Sequence, residues 1–411
     1  MRILLWHGYL LGGTGSNVYT RAIAREWSRA GHDVVVVSQE GNPELFDLGG
    51  ARTVRPDIGG LLPVFVLDRY DGLETKLLQH TTPDERARFV EANAAVLREL
   101  APADLVFANH VLLGAPVGAA SGLPFAVKAH GSELEYSMRG NEELARWGRE
   151  TLAEAHAVFV GSAHIRDVLE EVVGHVDRVY EVPPGVDVEG FRPEPRDQAL
   201  AGLVEEGRRD PPNPRNANER LPDEGNAERF ARFLTDDRPT VLYFGKLIRN
   251  KGVQLLLEAL RRVDARAVVV GFGDYRGELE AMAGPDTLFT GPLEHRHLVH
   301  LIPLADVTVV PSIFPEAFGM VAAEAAAGGS LPLVARHSGL AEIADALAEA
   351  GVPAGFESGS VDDLADKLES LLQRSPSERA ELSRRARRVT EERWSWATVA
   401  DRLLEPFQGA G

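Results

Sequence analysis

The stretch VTVVPSIFPEAFGMVAAEAAAGGSLPLVA, residues 307–335, reads as one strand–loop–helix–strand unit. Its two ends are short apolar runs, and residues 319–327 between them are small or helix-forming. Continuous apolar strands, rather than alternating ones, are typical of a parallel sheet that helices cover on both faces. The stretch therefore predicts a parallel α/β sheet, with residues 312–318 in the loop at the carboxyl end of a strand.

The same alternation of apolar runs and amphipathic segments extends in both directions along the chain. We predict strands at residues 2–6, 33–37, 104–109, 125–129, 157–161, 179–183, 240–245, 267–271, 287–291, 307–311 and 331–335. The predicted fold is α/β, with two Rossmann-like domains that face each other across a cleft.

The alternation stops at residues 193–238, which are rich in Pro, Asn, Gly and charge. This segment reads as a linker or insert, partly mobile, with a short helix at residues 226–234. We therefore expect an N-terminal domain at residues 1–192 and a C-terminal domain at residues 239–390. Residues 391–411 form a final helical segment.

Composition excludes several classes of function. The chain has 411 residues, a formal net charge of −18 and no cysteine. The acidic surface argues against nucleic-acid binding, and a peripheral membrane contact is open but not favoured. Without cysteine there are no disulfides and no thiolate metal sites, which fits a cytoplasmic protein. No apolar run reaches the 18 residues that a membrane span needs.

Two glutamates in the opening stretch suggest a ligand site. Glu316 precedes the helix and Glu324 lies inside it, eight residues further on. If residues 318–320 form the first turn, their free N–H groups and the helix dipole attract an anion such as a diphosphate. The two carboxylates, at most about 12 Å apart, could then hold the hydroxyls of a nucleotide sugar. The alternative is an ordinary helix with two surface glutamates.

Cations and glycines follow other predicted strands. Lys246, Arg249 and Lys251 come directly after Gly245, and Gly271 ends the next strand. Three cations at a strand end can neutralise a diphosphate and its charge as a leaving group. A solvated turn is the alternative.

In the N-terminal half, the loop LLGGTGSNVY at residues 10–19 opens a helix and contains Gly13 and Thr14. It lacks the third glycine of the dinucleotide fingerprint, and no acidic residue ends the second strand, so an NAD site is disfavoured. His130 directly follows another strand, beside Gly131, Ser132 and Glu133. A purely structural histidine is the alternative.

Together these segments resemble the retaining GT-B glycosyltransferases, specifically glycosyltransferase family 4 (group 1), over nearly the whole chain. The segments that carry the resemblance are GGTGSNVY (12–19), HGSEL (130–134), VGSAHIRDVL (160–169), VPPGVDVEGFRP (182–193), FGKLIRNKG (244–252), VVGFG (269–273) and FPEAFGMVAAEAAAGG (314–329).

The resemblance implies that the C-terminal domain binds a nucleotide-sugar donor and the N-terminal domain binds an acceptor. Glu316 would hold the hexose, Glu324 the ribose, and His130 would approach the reacting centre. The donor diphosphate would meet the basic pair Lys246 and Lys251. It would also meet the following residues: Gly13, Thr14, Gly245, Arg249, Gly271, Phe318, Gly319, Met320 and Val321. The resemblance further implies retention of anomeric configuration, no cofactor, no obligatory metal, and a final helix that returns to the first domain.

Some positions depart from the family pattern. Lys246 stands where an arginine is usual, and a lysine lacks the bidentate fork, although Arg249 could compensate. The glutamate that often follows the first glycine pair is missing, and the segment at residues 337–343 has one glycine where two are common. The segment around residues 199–235 is longer than expected.

The expected activity is transfer of a hexose from a UDP- or GDP-type sugar to an unidentified acceptor hydroxyl. The acceptor is expected to be small and polar or a carbohydrate, with Asn17, Tyr19, Tyr136 and Arg139 as candidate contacts. Two alternatives stay open. One is a nucleotide-sugar epimerase or hydrolase, for which Glu133 is the nearby carboxylate. The other is a non-catalytic module that binds sugar nucleotides.

Overall fold

The computed structural model describes residues 1–13, 15–66, 70 and 72–408. By its internal contacts the chain divides into two compact units. The first unit comprises Met1–Gly185 and the segment that starts at Trp396, and the second comprises Val186–Ser395.

The first unit is built on a seven-stranded parallel sheet in the order β3-β2-β1-β6-β7-β8-β9, with a separate parallel pair β4-β5. Its strands are β1 (Arg2–Trp6), β2 (Asp33–Val37), β3 (Arg52–Val54), β4 (Leu61–Val64), β5 (Glu74–Leu77), β6 (Leu105–Asn109), β7 (Phe125–Lys128), β8 (Ala157–Val160) and β9 (Val179–Glu181). Its first helices are α1 (Gly15–Arg29), α2 (Pro83–Glu99), α3 (Gly114–Ser121), α4 (Glu142–Leu152) and α5 (Ala163–Val173), with a π-helical turn at Leu134–Met138.

The second unit contains a six-stranded parallel sheet in the order β12-β11-β10-β13-β14-β15. Its strands are β10 (Thr240–Phe244), β11 (Arg266–Val270), β12 (Thr287–Phe289), β13 (Val307–Val310), β14 (Leu331–Ala335) and β15 (Gly355–Phe356). Its helices are α6 (Arg196–Arg208), α7 (Asn226–Phe233), α8 (Val253–Ala259), α9 (Arg276–Met282), α10 (His295–Leu301), α11 (Met320–Gly328), α12 (Ser338–Glu349), α13 (Val361–Leu372) and α14 (Pro376–Trp394). The last helix, α15 (Trp396–Leu404), belongs to the first unit. Short 3-10 turns lie at Pro43–Leu45, Leu78–His80, Pro214–Asn216, Arg249–Lys251, Ile302–Leu304 and Glu405–Phe407.

Helix α1 shows how the sequence pattern produces this packing. Tyr19, Ile23 and Trp27 are spaced four residues apart and are buried together against the sheet. The helix stops before Gly31, which adopts φ 88°. Val18, which precedes Tyr19, lies off this face and is 37% exposed.

The order of both sheets changes direction at one point, which is the feature that positions ligands in this fold. The change lies between β1 and β6 in the first unit and between β10 and β13 in the second. Because all strands in each sheet are parallel, the loops that follow these strands emerge at one edge. The candidate ligand-binding residues are therefore expected at these edges of the two sheets.

Residues 193–238, which were expected to form a partly mobile linker, are part of the second unit. Helix α6 buries Leu203 completely, and α7, the short helix expected here, does the same with Phe230. Between them the buried Asn213 donates to the carbonyls of Asn218 and Pro222, at 3.0 and 3.1 Å. The prolines and asparagines therefore form a loop with its own internal hydrogen bonds, not a structureless connection.

An acidic side chain attaches this loop to the sheet. The side chain of Asp223 is 3% exposed and accepts two hydrogen bonds from the guanidinium of Arg276, at 2.8 and 2.6 Å. Its backbone N–H donates to the carbonyl of Thr290, which directly follows β12. The segment is thus held against the strand ends of the second unit.

Helix α15 completes the core of the first unit. Trp396, Val399 and Leu403 are buried in the same cluster as Trp27, and the indole Nε1–H of Trp27 donates to the carbonyl of Ala400 at 2.9 Å. No helix in the described part of the chain is long and apolar enough to cross a bilayer.

Candidate functional site

In the second unit, the loops after β10 and β13 flank the point where the strand order changes. The N–H of Ile313 donates to the carbonyl of Asn250 at 3.0 Å, which joins the two loops. Gly252 has φ 70°, and a β-carbon there would lie 1.9 Å from the carbonyl oxygen of Pro311. Only glycine permits so close an approach. The two loops therefore form one fixed structure.

Glu316 and Lys251 meet across this junction. Their carboxylate and ammonium groups form an ion pair of 2.5 Å, with side chains that are 22% and 31% exposed. The backbone N–H of Glu316 donates to Ser338 Oγ at 2.8 Å, and its carbonyl accepts from the N–H of Gly339 at 3.0 Å. Glu316 is thus held at its backbone and at its side chain, and its carboxylate has a counter-ion in place.

The helix after Glu316 begins later than the sequence suggested. Helix α11 starts at Met320, and Gly319, with φ 121°, is its N-cap. Phe318 is therefore outside the first turn; it is buried and its ring packs edge-on against Trp394. Because the N–H of Ala322 bonds to the carbonyl of Gly319, the first-turn N–H groups without an intrahelical acceptor are those of Met320 and Val321.

Glu324 differs physically from Glu316. It lies in the second turn of α11, is mostly buried, and has no hydrogen-bond or ion-pair partner among the described residues. Burial raises the pKa of its carboxyl to about 8, and the negative charge of Asp187 adds to the shift. A buried carboxyl without a partner costs folding free energy. Its position is therefore better explained by a ligand than by stability.

The glycines at the ends of β10 and β11 bring these strand ends close together. Gly245 has φ 156° and Gly271 has φ 144°, and a β-carbon on Gly271 would lie 1.8 Å from the carbonyl oxygen of Gly245. Lys246 follows on the surface and makes no ion pair within the described residues. Its cation is therefore available to a ligand.

Arg249 is directed elsewhere. Its guanidinium lies over the ring of Tyr275 at 4.7 Å and pairs with Glu278 at 3.3 Å, both at helix α9. The side chain is 68% exposed. The guanidinium of Arg249 is thus engaged by groups at α9.

In the first unit, His130 lies just after β7 and is partly buried. Its ring Nε2 is 2.7 Å from Asn109 Oδ1, and its backbone N–H donates to Glu133 Oε1 at 3.0 Å. The ring of Tyr19 meets it edge-on, with centroids 5.1 Å apart. The ring of His110 lies at 4.7 Å.

Glu133 is completely buried and its hydrogen-bonding capacity is used by the protein. Its carboxylate accepts from the backbone N–H groups of His130 and Val111 and from Nδ1 of His110. Burial alone would raise the pKa of Glu133, but His110 and these hydrogen bonds outweigh it and hold the pKa below its ordinary value. Glu133 is therefore a structural anion that orders the strand-end loops.

Two further histidines at this edge were not predicted. His7 directly follows β1 and His110 directly follows β6, the positions that correspond to His130 after β7. Their rings are 6.0 Å apart, and His7 Nε2 is 2.7 Å from Asn17 Oδ1. Burial, with the neighbouring His110, lowers the pKa of His7 to about 3. The rule that selected His130, a histidine after a buried strand, would also have selected these two.

The acceptor-side candidates divide into two groups. Asn17 and Tyr19 are buried near His7 and His130, and the Tyr19 hydroxyl has no hydrogen-bond partner among the residues that the structure describes. Tyr136 is 63% exposed, and the guanidinium of Arg139 is bound by both Glu135 and Glu171. The structure thus brings Asn17 and Tyr19 to His130, whereas the charge of Arg139 is already used.

The glycine loop before α1 contains the last two candidates. Gly13 has φ 93°, and among the described residues no atom beyond its chain neighbours lies within 4 Å of the place where its β-carbon would be. Thr14 lies outside the described residues. No group of three or more His, Cys, Asp or Glu residues suited to a metal ion occurs in the described parts of either unit.

Comparisons with known proteins assign both halves of the chain. The family model for glycosyltransferase family 4 matches residues 13–190, and that for glycosyl transferases group 1 matches residues 225–389. The crystal structure of Anabaena HepE in complex with UDP and glucose covers 99% of each chain with a TM-score of 0.68 at 17% identity. A likeness at this identity establishes the fold.

Two curated relatives are more similar in sequence. A GDP-mannose-dependent alpha-(1-6)-phosphatidylinositol monomannoside mannosyltransferase from Mycobacterium tuberculosis is 28% identical over 299 residues, 68% of each chain. A D-inositol 3-phosphate glycosyltransferase from Xylanimonas cellulosilytica is 31% identical over 284 residues, which is 64% of this chain and 59% of that protein. With one family model on each half and the GT-B fold in common, the chain belongs to the group 1 glycosyltransferases of family 4.

Proposed function

We propose that the protein transfers a hexose from a nucleotide diphosphate sugar of the UDP or GDP type to an acceptor hydroxyl, with retention and without an obligatory metal. The observation that carries the proposal is Glu324, a mostly buried carboxyl without a partner in the described part of the chain. It lies just beyond a helix N-terminus and a lysine–glutamate pair. Hydroxyl groups of a nucleotide sugar would supply the hydrogen bonds that the carboxyl lacks.

The donor diphosphate is proposed to lie at the start of α11. The N–H groups of Met320 and Val321 would donate to its oxygens, aided by the helix dipole. Lys251 and the exposed Lys246 would supply positive charge on the side of the loop after β10. These groups would stabilise the nucleoside diphosphate as it leaves, which is the main catalytic contribution we assign to this unit.

Glu316 is proposed to hold the hexose. Its carboxylate pairs with Lys251 and can also accept hydrogen bonds from sugar hydroxyls. The same ion pair connects the sugar-binding carboxylate to the cation that would face the diphosphate. His130 in the first unit is assigned to the reacting sugar, and retention is expected, by the family resemblance.

The acceptor is proposed to be a polyhydroxylated ring. The names of both curated relatives include inositol, one as D-inositol 3-phosphate and the other as a phosphatidylinositol monomannoside. An inositol-type or small carbohydrate acceptor fits the buried polar side chains near His130 better than an apolar acceptor. Asn17 and Tyr19 are the first residues that we would assign to it.

Hydrolysis or epimerisation of the donor is less well supported. That alternative needs a carboxylate to activate water near His130, and Glu133 was its candidate. Glu133 is 0% exposed and bound by three N–H groups, so it has no accessible oxygen for water.

The experiment that tests the proposal is thermal unfolding with a panel of UDP-, GDP-, ADP- and TDP-sugars, with NAD as the control. A bound ligand raises the melting temperature by mass action. We expect a shift with one nucleotide sugar that is absent in Glu324→Ala. Sugar transfer to inositol and inositol 3-phosphate, with and without EDTA and with NMR analysis of the anomeric proton, then tests acceptor, metal and stereochemistry. No shift with any sugar nucleotide, or a shift with NAD alone, would refute it.

A further inference from the structure

We propose that Asn109 is a positioning residue that fixes His130 in the tautomer with its proton on Nε2, so that Nδ1 offers a lone pair to a sugar or acceptor hydroxyl. The identity of that hydroxyl rests on the proposed function. The tautomer rests only on hydrogen bonds inside the first unit.

The amide of Asn109 can adopt only one orientation. Asn109 ends β6 and is completely buried, and its Nδ2 donates to the carbonyl of Trp6 at 3.3 Å and to Thr20 Oγ1 at 3.2 Å. The Thr20 hydroxyl has already given its proton to the carbonyl of Ser16, at 2.8 Å. Rotating the amide by half a turn would place Asn109 Oδ1 against two acceptors, which is unfavourable in a buried site.

This orientation determines the proton position on His130. Asn109 Oδ1 can only accept, so His130 Nε2, which lies 2.7 Å away, has to carry a proton and donate it. A neutral imidazole has one such proton, and its other nitrogen is then an acceptor. Nδ1 of His130 has no hydrogen-bond partner among the described residues, so its lone pair is available to a ligand.

The surroundings keep the imidazole neutral. Burial lowers the pKa of His130 well below its ordinary value, and electrostatic interaction with His110, Lys128 and His7 acts in the same direction. Lys128 is buried in β7, donates to the carbonyl of Val182, and has a pKa lowered by burial to about 7. The opposing group is Glu133, whose carboxylate is bound to the N–H groups around it. The Tyr19 ring is uncharged.

The chemical consequence concerns which hydroxyls can bind. A neutral Nδ1 accepts a hydrogen bond from a hydroxyl, whereas an imidazolium could only donate. A ligand oxygen that lacks a proton, such as a phosphate oxygen, would be disfavoured at this nitrogen. Asn109 therefore acts on the ligand through His130 without touching it.

The direct test is nitrogen-15 NMR of the full chain with labelled histidine, which distinguishes a protonated from an unprotonated ring nitrogen. The nitrogen signals of His130 are identified by their absence from the spectrum of His130→Gln. We expect these signals to show a protonated Nε2 and an unprotonated Nδ1 at pH 7. A proton on Nδ1, or on both nitrogens, would overturn the inference. Because this measurement needs no sugar donor, it stands whether or not the proposed function holds.

A variant tests the consequence for activity. In Asn109→Asp the carboxylate still accepts a hydrogen bond from His130 Nε2, but its negative charge favours the imidazolium. His130 Nδ1 therefore becomes protonated at a higher pH than in the unsubstituted protein. We expect the acidic limb of the kcat/KM profile for sugar transfer to move up by about one pH unit or more. The matched control is Asn93→Asp, since Asn93 is also buried and bonds to Trp6 and Phe89 but not to His130. Equal shifts in both variants, or none in Asn109→Asp, would contradict the positioning role.

Discussion

The carboxyl of Glu324, which has no partner among the residues described, should make the protein less stable than it could be, and this penalty should depend on pH. Its pKa is raised from 4.5 to about 8 in the folded chain. Below pH 4.5 both folded and unfolded forms are neutral, so there is no penalty. As the pH rises from 4.5 to 8, the unfolded chain ionises first and folding stability is lost. Above pH 8 both forms are ionised and the penalty is constant.

Each pKa unit corresponds to about 1.4 kcal/mol, so a shift of this size would amount to roughly 3 kcal/mol at pH 7. Because Glu324 is not completely buried, solvent screening reduces the expected effect to about 2 kcal/mol. The isosteric Glu324→Gln should therefore raise the free energy of unfolding by about that amount at pH 7. The gain should disappear below pH 4.5 and be largest above pH 8.

The assay is urea denaturation of both proteins between pH 4 and pH 9, without ligand. The exposed Glu258, which is also inside a helix, supplies the control Glu258→Gln, for which we expect a change below about 0.5 kcal/mol at every pH. Above pH 8, where the carboxyl is ionised, the same Glu324→Gln protein should have lost most of the affinity for UDP or GDP, because an amide is a weaker acceptor for hydroxyls than a carboxylate. A stability difference that is constant across pH would refute the explanation by burial, and normal nucleotide affinity would refute the ligand role.

Three other substitutions test single contacts. Lys251→Ala should slow sugar transfer by about 100- to 1000-fold, by analogy with the loss of an oxyanion donor. The control is Arg249→Ala, which should change the rate less than about fivefold because the Arg249 side chain is engaged at α9. Similar losses of rate in both variants would contradict the role assigned to Lys251. Asp223→Ala should lower the free energy of unfolding by about 2 kcal/mol because it removes two charge-assisted hydrogen bonds from Arg276, which keeps its ion pair with Glu280, and a fall below about 1 kcal/mol in urea denaturation would show that the pair is dispensable. Gly252→Ala should lower the melting temperature and weaken donor binding together, because its β-carbon collides with a carbonyl of the neighbouring loop; unchanged donor affinity would mean that the loops are not rigidly joined.

The fold followed from the sequence because the buried strands are continuous apolar runs, and all eleven predicted strands are present. Four strands were missed, β3, β4, β5 and β15. They are short, with two residues in β15, three in β3 and four in each of β4 and β5, and Arg52 is exposed at the start of β3. Helix α6 was missed because the proline- and asparagine-rich part of its segment dominated the composition. The spacing of Ala199 and Leu203, both fully buried in one core cluster, was the signal for it.

The site could be predicted less completely. Strand-end position pointed to Glu316, Lys251 and His130, but their partners depend on which loops meet in space. Within the described residues Glu316 has a counter-ion and Glu324 has none, and this difference cannot be read from their spacing. The positions of Asn109 and Thr20, about 90 residues apart in sequence, likewise become related only after the sheet has formed.

The placement of α15 has a consequence for biosynthesis. Residues 1–185 contain the whole sheet of the first unit, yet the helix that covers Trp27 is made only after more than 200 further residues, which form the second unit. During translation the apolar surface around Trp27 therefore stays uncovered until the chain passes Leu404. Units of a multidomain chain usually fold from the N-terminus onward during synthesis. In this chain the N-terminal unit can therefore start to fold first, but its folding is completed last. A nascent chain that stalls before residue 396 would expose that surface, which makes it a candidate client for chaperones that bind apolar segments.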